Sequence, residues 1–350
     1  MSITEEKLNL LRQIIGGAPK KIALLSHTNP DGDTIGAALA WRSYLERLGH
    51  TTCCIAPNRY PYFLEWMTDI GHIGVFKEDH DGAMARFIGE ADVIFCMDFN
   101  QINRLDRVTD TVTANTTAVR VLIDHHLHPP VDGYAVQFSD THACSTSYIV
   151  YQLLEAMAGT DAIDQAMAES LYVGIMTIIN SLREVFFMPV HGLASSLTSD
   201  LFRAVAVLID KGVNVPYVNS SVYNNFSEGR MRLLGYMLND KMVTDYEFGV
   251  AYVSLTEEEM RRFDFIQGDS EGFVNYPLSI RGIRMSAMFI QTKHSIRVSL
   301  RSRGEVDVNV FARRYFDGGG HRNAAGGKSY VPMNETLENF RKYLREYFGA

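Results

Sequence analysis

Seven side chains with metal-binding chemistry stand at the ends of three short apolar runs. Ile22-Ala23-Leu24-Leu25-Ser26 leads into His27, and His27-Thr28-Asn29-Pro30-Asp31-Gly32-Asp33 adds two carboxylates. Val93-Ile94-Phe95-Cys96-Met97 leads into Asp98, and Val119-Arg120-Val121-Leu122-Ile123 leads into Asp124-His125-His126. Carboxylates and imidazoles gathered at one place repel one another or lose hydration without compensation unless cations hold them. Oxygen and imidazole donors without thiolates suit Mn²⁺, Mg²⁺ or Fe²⁺ better than a structural zinc. This many carboxylates could hold two ions ~3.5–4 Å apart, the arrangement that activates water for in-line phosphoryl displacement. Each cluster also has a plain structural reading. The first could be an Asp-Gly turn with Asp33 as helix N-cap, Asp98 a helix cap, and the two histidines surface residues.

The elements that position these residues read as α/β. If the three runs are buried parallel strands, their tips share one edge of one sheet, where such folds place their sites. A helix is expected over Glu5–Ile15, ending at Gly16-Gly17, and another over Asp33–Leu48, ending at Gly49. Strands fit 51–56, 93–97 and 119–123, and helices fit 145–158 and 162–179. A middle zone, roughly 182–241, keeps helical patterns at 201–208 and 229–238 around a polar stretch, 214–228. Beyond Phe248 the texture changes. Strands fit 249–253, 285–290 and 295–300, with a C-terminal helix through 340–347, so a second, smaller α/β domain is expected from about residue 245.

That second part carries its own signal, Gly318-Gly319-Gly320-His321-Arg322-Asn323-Ala324-Ala325-Gly326-Gly327. Glycines let backbone N–H groups approach an anion closely. Arg301 and Arg303 alternate along a strand and so point to one face. The combination favours a phosphate or nucleotide clamp over a flexible turn and a solvated strand. His50, His72, His80 and His191 read as surface or cap residues, and Trp41 and Trp66 as packing. Cys144-Ser145-Thr146-Ser147 starts a helix whose N-terminus could also receive a phosphate.

With 350 residues, 46% hydrophobic and 21% charged, the chain has the composition of a globular protein with room for two domains. No apolar stretch approaches the ~20 residues needed to span a bilayer. The start, Met1-Ser2-Ile3-Thr4-Glu5-Glu6, lacks the basic and apolar regions of a signal peptide. The four cysteines have neither zinc-like nor disulfide-framework spacing. A cytoplasmic protein without a membrane partner is expected. A net charge of −8 argues against broad nucleic-acid binding, so any nucleic acid bound should be short. The apolar helices are compatible with a homodimer.

These residues resemble the DHH family of phosphoesterases, named for the triplet present here as Asp124-His125-His126. The His27–Asp33 loop, Asp98 and the triplet are similar in order and spacing to the family's first three motifs. Gly318-Gly319-Gly320-His321 resembles the signature of the DHH-associated C-terminal domain. The likeness spans nearly the whole chain. Length and the absence of extra domains look most like the nanoRNase-type members, oligoribonucleases that also remove the 3′-phosphate of 3′-phosphoadenosine 5′-phosphate. Family II inorganic pyrophosphatases share the first motifs without the GGGH loop. The resemblance implies a parallel-sheet DHH domain over 1–185, a helical connector over 186–244 and an associated domain over 245–350, with the active site in the interdomain cleft. It implies Mn²⁺, or Mg²⁺ or another divalent ion. His27, Asp31 and Asp98 would hold one ion, and Asp33, Asp98 and His125 the other, with Asp98 bridging. Asp98 and His126 would be catalytic, His126 helping to neutralise the phosphoryl oxygens. Arg301, Arg303, Gly318, Gly319, Gly320 and His321 would bind the substrate, a short RNA or DNA oligonucleotide or a small nucleotide.

One position departs from the family. A further metal-binding aspartate usually follows the stretch present here as Gly174-Ile175-Met176-Thr177, but this chain has Ile178. The following stretch, 182–195, also departs from the pattern, and Asn180 or Glu184 are the substitutes at hand. Two other readings stand beside the leading one: a cyclic or linear dinucleotide phosphodiesterase, and a nucleotide-binding protein with a degraded metal site.

Overall fold

The computed structural model describes residues 3–181 and 197–349, without the side chains of residues 179–181 and 321. The chain divides into two units. Met1–Ile179 and Ser196–Asn225 make the first, and Phe226–Ala350 forms the body of the second.

The first unit is a six-stranded parallel sheet in the order β3-β2-β1-β4-β5-β6. Its strands are β1 (Lys21–Ser26), β2 (Thr51–Ala56), β3 (Ile73–Val75), β4 (Val93–Met97), β5 (Val119–Asp124) and β6 (Val136–Ser139). The helices introduced with them are α1 (Glu5–Ile15), α2 (Gly32–Arg47), α3 (Ala83–Gly89), α4 (Val108–Ala114), α5 (Thr146–Ala158) and α6 (Gln165–Ser181). β4 is apolar at every position, and β1 and β5 are apolar and buried at Ile22–Leu25 and Val121–Ile123, because both faces are covered, as a doubly wound sheet requires. On one face Ala23, Leu25, Ile94, Cys96 and Leu122 pack with Ile88, Val108 and Val112 of α3 and α4. On the other face Phe95 meets buried Trp41 of α2 edge to face, so Trp41 is a core residue. The strand order reverses between β1 and β4, the topological switch point where α/β sheets open a crevice beyond the strand ends.

Glycines set how closely the helices approach. A Cβ on Gly36 of α2 would lie 2.2 Å from the carbonyl oxygen of Ser170 in α6. A Cβ on Gly174 of α6 would lie 1.9 Å from Ser147 Oγ in α5. The polar stretch after residue 213 holds a helix, Val215–Tyr223, which patterning alone did not resolve. Asn214 caps it by accepting from Tyr217 N–H, and Pro216 fits its first turn.

The second unit is a mixed six-stranded sheet in the order β11-β12-β10-β9-β8-β7. Its strands are β7 (Val243–Asp245), β8 (Val250–Leu255), β9 (Met285–Gln291), β10 (Ile296–Ser302), β11 (Gly319–His321) and β12 (Ala324–Ser329). Phe289, Phe311, Phe316 and Phe340 anchor its core against the helices Val308–Tyr315 and Met333–Phe348. A second cluster with Met288, Ile290, Phe273 and Leu233 covers the opposite side. Among the described residues no helix is long and apolar enough to cross a membrane.

Candidate metal centre

His27 follows β1, Asp98 follows β4, and Asp124-His125-His126 closes and follows β5, so parallel neighbours deliver all three clusters to one sheet edge. Asp98 adopts a left-handed backbone (φ 65°), which aspartate tolerates better than most residues. Its N–H still bonds the Ile123 carbonyl at 2.9 Å, which ties the turn to β5.

The expectation that Asp33 caps α2 is corrected. Asp31 is the N-cap, its Oδ1 accepting from Asp33 N–H at 3.0 Å and Thr34 N–H at 3.2 Å. Asp33 falls in the first turn, and its carboxylate turns into the protein. Both its oxygens accept backbone N–H groups from the start of α5, Thr146 to Oδ2 and Ser147 to Oδ1, each at 2.8 Å. The anion at this helix N-terminus is thus Asp33 rather than a bound phosphate. The Thr146 hydroxyl donates to Asp98 Oδ1 at 2.8 Å, so one helix start orients two carboxylates.

The histidines are oriented from behind. His27 Nδ1 lies 2.9 Å from its neighbour's carbonyl, Thr28 O, and His125 Nδ1 lies 3.3 Å from Ala143 O. A carbonyl only accepts, so each ring carries its proton on Nδ1 and presents Nε2 to the site. His27 Nε2 is 3.4 Å from Asp98 Oδ2, and His125 Nε2 is 3.4 Å from Asp98 Oδ1. His125 Nε2 is also 3.7 Å from Asp33 Oδ2. Histidines that ligate metals are held in this way, through the ring nitrogen they do not use.

His126 is arranged differently. Its Nδ1 donates to Asp124 Oδ1 at 2.7 Å, and its backbone N–H reaches Asp124 Oδ2 at 3.2 Å. Its Nε2 faces Arg104 Nη1 at 3.1 Å. Asp124, fully buried, therefore positions His126 and is not among the clustered donors.

Two groups of donor atoms each fall within 4.8 Å: His27, Asp31 and Asp98, and Asp98, His125 and His126. Asp98 belongs to both. Electrostatics fit a cation here. Burial, then the Asp98 and Asp31 carboxylates, push the Asp33 carboxyl well above its usual range, against hydrogen bonds from Ser147. Burial opposes ionisation of Asp98 too, and positive charge facing it, on the rings of His27, His126 and His125 when protonated or on a cation in their place, holds it below the ordinary value. Burial lowers the pKa of His125 more than Asp98 raises it, which disfavours an imidazolium there. A neutral imidazole lone pair facing a carboxylate is repulsive, and a shared cation removes the repulsion.

Ile178 is half-buried near the end of α6, next to Thr177. A Cβ on Gly32 of the metal loop would lie 2.5 Å from Thr177 Oγ1, so that end of α6 runs beside the loop. The side chain of Asn180, and Glu184, His191 and the whole departing stretch 182–195, lie outside the described residues.

In the second unit the glycine run enters a strand. Residues 319–321 pair with β12, Gly319 opposite Gly326 and His321 opposite Ala324. A Cβ on Gly318 would lie 2.0 Å from Gly326 O, and one on Gly320 (φ 151°) would lie 2.5 Å from Ala324 O. Close backbone approach thus accounts for these two glycines. Gly319 has only ordinary contacts, the nearest at 3.4 Å. The His321 side chain lies outside the described set. Arg301 sits on β10, and Arg303 lies just past its end, in register with the same face. Arg297 shares that face, donates to Ser270 Oγ at 2.9 Å, and was not picked out by sequence patterning.

Comparison with known proteins agrees with the motifs. Residues 21–175 match the DHH family, N-terminal domain, and residues 246–350 match the DHHA1 domain. The bifunctional oligoribonuclease and PAP phosphatase NrnA of Bacillus subtilis is 26% identical over 314 residues, covering 88% of this chain and 89% of its own length. The Thermus thermophilus protein of the same name is 24% identical over 343 residues, covering 97% and 94%. The crystal structure of an exopolyphosphatase-related protein from Bacteroides fragilis superposes with a TM-score of 0.88 at 35% identity, covering 99% of this chain and 97% of that one.

Proposed function

We propose that this chain, which belongs to the DHH family, is a phosphoesterase that hydrolyses short oligoribonucleotides or the 3′-phosphate of 3′-phosphoadenosine 5′-phosphate. The observation that carries the reading is the pair of imidazoles, His27 and His125, aimed through Nε2 at opposite oxygens of Asp98, each at 3.4 Å. That donor set fits divalent cations, Mn²⁺ by family resemblance. His27, Asp31 and Asp98 would hold one ion, and Asp98 and His125, with Asp33 alongside, a second. Bound ions of this kind lower the pKa of water and offset charge on phosphoryl oxygens.

The protein's own part is to fix these groups. Asp98 is shared between the two donor groups, and the start of α5 keeps Asp98 and Asp33 from rotating. The β1–α2 loop holds Asp31 as a helix cap. In the second unit, we assign substrate binding to Arg301, Arg303, Gly319 and His321, with Gly318 and Gly320 shaping the backbone around them. The relatives of known name act on short RNA and a small nucleotide, and the acidic balance of this chain also favours short substrates. We place the enzyme in the cytoplasm, where both substrate classes arise.

Protein loaded with Mn²⁺ and checked for metal content should shorten an RNA oligomer of a few nucleotides, or release phosphate from the 3′-phosphonucleotide. A panel with linear and cyclic dinucleotides defines the preferred class. Absence of turnover on every member, with metal bound, overturns the proposal.

A further inference from the structure

We propose that Arg104 is the residue that grips the phosphoryl oxygens at this centre, and that His126 serves to aim it. This rests on the phosphoesterase reading above and reverses the expected role of His126. A guanidinium has only N–H groups, so the 3.1 Å contact between Arg104 Nη1 and His126 Nε2 makes Nε2 the acceptor. The 2.7 Å contact of Nδ1 with Asp124 Oδ1 makes that nitrogen the donor. His126 thus engages both ring nitrogens, Nδ1 with Asp124 and Nε2 with Arg104. In this arrangement it has no N–H left to offer an incoming anion. The fixed positive charge beside the centre is on Arg104.

Two further observations point the same way. Arg104 lies on a short turn, Ile102–Leu105, and its carbonyl accepts from Thr28 N–H at 2.8 Å. The turn after β4 is thereby pinned to the loop that carries His27 and Asp31. In addition, Arg104 is half-buried beside a carboxylate-rich site, yet no carboxylate among the described residues lies within ion-pair distance of it. One N–H is used on the His126 ring, and the rest of the planar fork remains to meet an anion, the geometry with which arginine binds phosphate in two-point fashion. A buried-to-surface chain, Asp124 to His126 to Arg104, fixes the direction of that fork. The ligand class is a phosphomonoester or phosphodiester group, and its simplest member is inorganic phosphate, the product of monoester hydrolysis.

The test is calorimetric titration of inorganic phosphate into Mn²⁺-loaded protein, comparing the native chain with Arg104→Gln and Arg104→Lys, with bound Mn²⁺ and unfolding temperature measured on each. The backbone bond from Thr28 survives either substitution, and the lysine variant keeps the charge should the glutamine variant fold poorly. Phosphate affinity should fall at least tenfold in Arg104→Gln and less in Arg104→Lys, with Mn²⁺ content unchanged. Unchanged phosphate affinity, or a loss that merely tracks lost Mn²⁺ or lower unfolding temperature, overturns the assignment. Turnover is scored separately: phosphate binding that depends on Arg104 without hydrolysis of any substrate would sink the proposed activity and leave this inference standing.

Discussion

Thr146 donates its hydroxyl to Asp98 Oδ1 at 2.8 Å. Asp98 is the carboxylate common to both donor groups, so its rotation decides whether either group closes. Removing the hydroxyl with Thr146→Val should weaken Mn²⁺ binding by roughly 10–100-fold, the usual cost of losing a partner behind a metal ligand. Thr146→Ser keeps the hydroxyl and should bind near the native level. Titration of Mn²⁺ followed by its paramagnetic resonance signal separates the two. Equal affinities in Thr146→Val and native protein would show that Asp98 is held by other means.

Strand tips were the most legible part of the site, because apolar runs that stop at a charge can be read locally. What the sequence left undecided are choices between neighbours. Asp31-Gly32-Asp33 offers two possible N-caps, and only the packing of α5 decides that Asp33 turns inward. His125 and His126 are adjacent and identical in type; the partners behind them, Ala143 O and Asp124, assign their different roles. Arg104, which sits in an irregular turn, has no periodicity around it to single it out. The glycine run has a packing reason that sequence could not show: Gly318 and Gly320 allow close backbone approach to Gly326 and Ala324. The short edge strands β3 and β6 were also missed, since three or four residues carry little pattern.

Helix contact at glycines makes a stability prediction. Gly36→Ala would push a methyl to 2.2 Å from the Ser170 carbonyl oxygen, and backbone cannot swing aside as a side chain can. Such overpacking should cost about 2–3 kcal/mol, read as a lower denaturation midpoint. Gly319→Ala meets nothing closer than 3.4 Å and should shift stability by no more than about 0.5 kcal/mol. Equal losses in the two variants would contradict the proposed packing of α2 against α6.

Glu259 supplies a pH dependence away from the metal groups. Its carboxylate accepts from Lys241 Nζ at 2.6 Å, Thr256 N–H at 2.8 Å and Tyr236 OH at 2.8 Å. Burial alone would raise its pKa, but these partners outweigh burial and bring it down to about 2 from an ordinary 4.5. Because the folded value is the lower one, the stabilisation is present above the unfolded value and fades as pH falls from about 4.5 toward 2. It amounts to at most on the order of 2–3 kcal/mol. The difference in unfolding free energy between native protein and Glu259→Gln should shrink across that interval. A difference that stays constant from neutral pH to the acid limb would rule this linkage out.

Ile178 bears on the second ion. The family resemblance would place a carboxylate at this position, and its neighbour Thr177 packs over Gly32 at the start of α2. An apolar side chain at that position neither ligates nor offsets charge, so in the proposed two-ion centre the second ion would depend on Asp98, His125 and Asp33. Asp33 already gives both oxygens to the start of α5. Weak second-site binding is therefore expected in the native chain. Ile178→Asp should tighten it by at least about tenfold, on the scale by which single groups around a metal change affinity. Measured as bound Mn²⁺ against free Mn²⁺, the native protein should fill one site well before the other, and the variant should bring the two curves together. Hydrolysis of a short RNA should rise with second-site occupancy. If Ile178→Asp leaves the binding curve unchanged, position 178 lies outside the centre, and the residues that complete it must be sought elsewhere in the chain.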